Sequence, residues 1–134
     1  MLFLNPREVT FDGVVWSEVE SVSIARSAAR SFVEFGDTGP HAVLVDVPEQ
    51  RVGVTVVQEL LGDDVDVPKP GEQGALSFVT SANSSGAGAK QVSMTAVVLD
   101  VKYKVSRKVG SSRTVELVAV SGDGVADPVT VVDV

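Results

Sequence analysis

The sequence predicts an all-β domain, mainly antiparallel, with little helix. Three observations predict it. The chain holds 30 valines against eight leucines and a single isoleucine. Valine is stiff at χ1 and fits a pleated sheet better than a helix. Short alternating apolar stretches recur along the chain with Gly, Pro and Asp between them, the spacing expected of an antiparallel sandwich or partly closed barrel. The length of 134 residues is that of one domain. Surface scaling gives roughly 6,700 Å² folded against about 20,000 Å² unfolded, so a real core forms without staples.

The elements follow in order. Glu8 to Phe11 reads as a first strand, ended by the hairpin dipeptide Asp12-Gly13. Val14 to Arg26 follows. Val15 and Val19 share one parity, and Val22 and Ile24 the other. A period of two cannot change phase without a bulge or bend, which belongs near Glu20-Ser21. Ser31 to Phe35 is the next strand, broken by Gly36-Asp37-Thr38-Gly39-Pro40. Val43, Val45 and Val47 alternate, as do Val52, Val54 and Val56, and Pro48-Glu49-Gln50 between them reads as a hairpin turn. Val57 to Leu61 is the best helical segment and Arg26 to Arg30 its rival. Neither is long enough to stand alone.

Gly62 to Gly74 reads as a loop and Ala75 to Thr80 as a strand. Ser81 to Ala89 is a small-residue loop. Gln91 to Val105 is a long strand with a parity change near Val97-Val98. Lys104 to Ser112 forms a basic turn, Arg113 to Val120 a strand, and Val129 to Val132 the last strand.

The residue chemistry excludes several functions. No cysteine and one histidine leave no thiol catalysis, disulfide, zinc-thiolate site or multi-histidine metal site. The balance is acidic, 18 Asp and Glu against 11 Lys and Arg, for a net charge of −7. That makes the chain a poor grip for nucleic acid and a fit surface for nucleic acid to slide past. The opening residues Met1 to Pro6 are too short and uncharged to read as a signal peptide, and no apolar run reaches the length of a membrane span.

Asp63, Asp64 and Asp66 cluster in one loop, but Pro68 and Pro70 replace the spacing of a calcium loop, which favours a solvated segment. His41 has no nucleophile elbow to serve. Gly86 to Lys90 lacks the phosphate-loop spacing and precedes a strand. Asn83-Ser84-Ser85 fits a glycosylation sequon without an export signal beside it. Lys102, Lys104, Arg107, Lys108 and Arg113 form either a solvated hairpin or a dock for an acidic partner. Glu18, Glu20 and Glu34 are either outward solubilising charge or an acidic wall. No cofactor and no catalytic group is expected.

A set of stretches carries a family resemblance. They are Asp12-Gly13-Val14-Val15, Val19 to Ala28, Phe32 to His41, Gln50 to Val56, Pro70 to Phe78, and Val118 to Gly124 with Asp127-Pro128-Val129. Together they resemble the tail tube proteins of tailed bacteriophages and of related phage-derived particles. The resemblance implies a β-sandwich or barrel with one short flanking helix, hexameric rings, and stacking of rings into a hollow tube. DNA would pass through that tube from capsid to host without specific binding. It also implies tape-measure, tail terminator and baseplate partners, a sheath if the tail is contractile, assembly in the host cytoplasm and residence in the virion tail. On that reading Glu18, Glu20 and Glu34 are candidates for the lumen. Lys104, Arg107, Lys108, Asp63, Asp64 and Asp66 are candidates for ring stacking.

Alternatives are a type VI secretion tube-like or tail completion protein, and a monomeric β-sandwich binding module. The last usually displays aromatic platforms or calcium loops, and this chain has one Trp and one Tyr.

Overall fold

Every strand that the sequence predicts sits on an antiparallel ladder. The computed structural model describes residues 2–4, 6–60, 68–80, 89–107 and 110–133. Within them run β1 (Leu2–Leu4), β2 (Arg7–Phe11), β3 (Val14–Val15), β4 (Val19–Phe35), β5 (Ala42–Leu60), β6 (Gln73–Val79), β7 (Lys90–Ser106), β8 (Gly110–Val120) and β9 (Thr130–Asp133). All pairings are antiparallel and join one sheet in the order β1-β4-β5-β8-β7-β6-β2-β3, with β9 on β7. Among the described residues the ladder does not close.

The sheet instead folds over its own inner face. Phe11 and Trp16, at the β2–β3 end, share one buried cluster with Val22 and Ile24 of β4, near the other end. Alternation places the rest: Val52, Val54 and Val56 of β5, Val115, Leu117 and Ala119 of β8, Val92, Met94, Ala96 and Val98 of β7, and Leu76 and Phe78 of β6. Register stacks them, with Val54 opposite Leu117, Leu117 opposite Val98, and Leu76 opposite Met94. Small β-branched side chains thus build a thin core, with Phe78 completely buried in it.

The parity changes appear as bulges. Val19 pairs Gln58 and Ser21 pairs Val57, so Glu20 is the extra residue. The register of β7 on β8 shifts between Val98 and Asp100, which makes Leu99 the extra residue there. The Asp12-Gly13 hairpin is also present, with φ of 52° and 79°, the left-handed pair of a type I′ turn. Gly74 lets that turn close onto β6. A Cβ there would lie 2.6 Å from Asp12 Cβ.

Three expectations are corrected. There is no helix among the described residues. Both helical candidates are strand: Arg26 to Arg30 lies within β4, and Val57 to Leu60 ends β5. Their helix propensity loses to ladder pairing on residues 49–52 and on residues 111–114 respectively. Pro48-Glu49-Gln50 does not turn the chain. Pro48 sits where the register shifts between Arg30 and Phe32, a place where a missing N–H breaks no regular pair. The predicted strands on either side of it are therefore one strand. Ser31 to Phe35 likewise continues the preceding strand.

Candidate assembly surface

The same two strands build the core and leave it. From Ala25 to Arg51 every residue is exposed, although the β4–β5 ladder runs on as far as Phe35 opposite Ala42. Among the described residues, no strand pairs the outer edge of β4 from Ala25 onward or the outer edge of β5 before Gly53. The result is a two-stranded arm whose outer backbone edges pair no other described strand. It helps explain an accessible surface of 8833 Å², against roughly 6,700 Å² for a compact monomer of this mass.

The arm is two-faced. Alternation from the Val33–Val45 pair sets Val33, Phe35, Val45 and Val47 on one face, and Val43 is the extra residue where Phe35 pairs Ala42 at the end of the ribbon. All are exposed, Phe35 at 63% and Val43 at 70%. The other face carries Phe32, Glu34, Leu44 and Asp46. Phe32 there is covered by the Arg30 guanidinium, 4.9 Å from the ring centroid, and Arg30 also lies 3.6 Å from Glu49.

At the base of the arm a loop is tied down. Arg26 makes two 3.1 Å bonds to the two carboxylate oxygens of Asp127, which hold that carboxyl below its usual range. The Asp123 carboxylate accepts bonds from the backbone N–H of Ala126 and Val125 and from the Ser121 hydroxyl, and these keep its pKa at about 2. Beyond this loop, β9 is held to β7 by the Lys90–Asp133 ion pair.

The opposite pole is where β5 ends. A cavity of about 540 Å³ opens there among Phe11, Val14, Val15, Trp16, Leu60 and Pro68, with Asp12, Glu59 and Glu72 also on its lining. Gln58 and Arg113 face each other across β5 and β8 at its floor. The Arg113 guanidinium donates to Gln58 Oε1 and lies 4.9 Å from the Trp16 ring centroid. Gln58 Nε2 in turn donates to the Ser17 carbonyl at 2.7 Å. The two valines of β3 stand at the rim, 60% and 68% exposed. β3 ends the strand order, so its outer edge is unpaired among the described residues.

The sequence-derived candidates divide between the poles. Glu34 lies on the other face of the arm, with Phe32, Leu44 and Asp46. Glu18 and Glu20 lie at the cavity pole, Glu18 with a left-handed φ of 56° and its carbonyl accepting from the Glu59 N–H. The structure does not bring the three glutamates together. Lys104 pairs Ser112, next to the Leu60–Ser111 pair, and Arg107 follows in the turn after β7, so both sit at the cavity pole. Lys108, Asp63, Asp64 and Asp66 lie outside the described residues. Arg113, read from sequence as part of the basic turn, is buried at 4% exposure. Its inward parity with Val115 and Leu117 was a signal that could have found it. The arm was missed because its valines alternate just as core valines do. No group of His, Asp or Glu able to hold a metal ion occurs among the described residues.

No protein-family model and no curated protein matches this chain.

Proposed function

We propose that this chain is the structural subunit of a bacteriophage tail tube, whose hexameric rings stack into a hollow conduit for DNA. The observation that carries the reading is the arm. A two-stranded ribbon is marginal by itself in water, and free sheet edges beside apolar side chains invite another chain. A monomeric binding module would leave this surface wet. Copies of the same chain would cover it and pair its edges, as a symmetric assembly requires.

The charge supports the second half of the reading. A net charge of −7 on each copy disfavours adhesion of DNA phosphates. Glu34 on the arm and Glu18 and Glu20 at the other pole would face the channel in separate bands. Lys104 and Arg107 would meet acidic groups between rings. The chain would act with tape-measure, terminator and baseplate proteins, in the virion tail.

Electron microscopy of the purified protein at rising concentration tests this. Rings or hollow tubes are expected. Monodisperse 14.0 kDa particles at every concentration, with initiator proteins added, would remove the proposal.

A further inference from the structure

We infer that the apolar face of the arm docks on the β3 edge and the adjoining cavity of a second copy of this chain. This rests on the self-assembly part of the proposed function and names the surfaces that meet.

Geometry is the first support. β5 carries the arm on its first half and lines the cavity with its last residues, Gln58 to Leu60. At about 3.3 Å per residue its 19 residues would span roughly 60 Å if straight. Donor and acceptor therefore stand at opposite ends of one strand. A contact between them is heterologous, and repeating it builds a closed ring or an open stack of copies.

Chemistry is the second. The arm offers strand edges that pair no other described strand and an apolar surface of Val33, Phe35, Val43, Val45 and Val47. The acceptor offers an edge at β3 that is unpaired among the described residues, two exposed valines, and a cavity backed by Phe11 and Trp16. Strand addition supplies backbone bonds while the apolar side chains fill the adjoining pocket.

Area is the third. The five side chains present on the order of 400 Å², as large as the biggest apolar patch of a typical monomer and about half of one partner's share of a standard interface. Such a contact does not hold two isolated copies firmly. It suits an assembly in which each copy makes several contacts at once.

The competing arrangement sets two arms face to face. It would close a two-fold dimer and leave Val14, Val15 and the cavity uncovered. The head-to-tail contact covers both surfaces with one interface.

The natural chain has no cysteine, so cross-links report cleanly. Val43→Cys and Val15→Cys would be made in separate chains, both at exposed positions, and folding checked by circular dichroism. Mixed under oxidising conditions that permit assembly, the two should give a cross-linked dimer at least tenfold above either variant alone. A chain carrying both substitutions should give a ladder of covalent oligomers. Cross-linking of Val43→Cys with itself, with no 15–43 product in the mixture, would establish arm-to-arm pairing and overturn the inference. Tubes that form without a 15–43 cross-link would overturn it too, while the tube reading survived. A wild-type chain that stays monomeric would overturn both. Phe35→Asp gives a check without cysteine: the monomer should fold normally and assembly should fall at least tenfold. Unchanged assembly would count against the docking.

Discussion

The inner and outer halves of the β4–β5 hairpin share strands, pairing and composition, yet differ in everything that holds them. In the inner half, Val52, Val54 and Val56 are buried against Val22, Ile24, Val115 and Leu117. In the outer half, Val43, Val45 and Val47 alternate just as regularly and touch solvent. Backbone pairing runs through both, with register shifts around Arg30 and before Phe35 in the outer half. Ladder bonds alone contribute modest net stability, so what separates the halves is side-chain burial. The inner half is held by its own chain. The outer half waits for another.

The largest expected effect lies in the inner region. Phe78→Ala empties a site with no exposure and should cost about 3–5 kcal/mol in urea unfolding of the monomer. A smaller loss would mean that the thin core collapses around the gap. Next is Gly74→Val, which presses a side chain into Asp12. It should cost about 1–3 kcal/mol and displace the β2–β3 hairpin, read as shifted amide signals at Asp12 and Gly13.

The outer region should behave in the opposite way. Val33→Ser combined with Phe35→Ser removes two exposed side chains and should change monomer unfolding by no more than about 0.5 kcal/mol. The same pair should abolish assembly seen by light scattering. A large loss of monomer stability would show that the arm packs on its own body.

The smallest effect concerns the loop at the arm's base. Asp123 titrates at about 2, below its ordinary 3.8, so its ionised form stabilises the fold above pH 4. That contribution fades as pH falls through 2. Amides of Val125 and Ala126 should lose protection across this window while those of β8 keep theirs, as amide exchange would record.

Much of the inner region was legible in the sequence. The phase change from Val15 and Val19 to Val22 and Ile24 located the Glu20 bulge, because a period of two cannot slip unnoticed. Asp12-Gly13 located its hairpin, because few pairs tolerate two left-handed residues. The strand continuity at Pro48 was not legible. Proline usually ends a ladder; here it stays because it sits at a register shift and no third described strand lies beside the arm. The helix at Val57 to Leu61 failed because tertiary pairing outweighs weak propensity. The exposure of the arm was hidden for a simpler reason: alternation records which residues share a face, not whether anything covers it.

Hydrogen exchange on the arm amides, in dilute monomer and in assembled protein, tests most directly the claim that the outer hairpin depends on other copies. The account predicts fast exchange across residues 28–35 and 42–50 in the monomer, slow exchange at Val54, Val98 and Leu117, and strong protection of the arm once assembled. An arm as protected as the core in the monomer, or one still unprotected in the assembly, would contradict it.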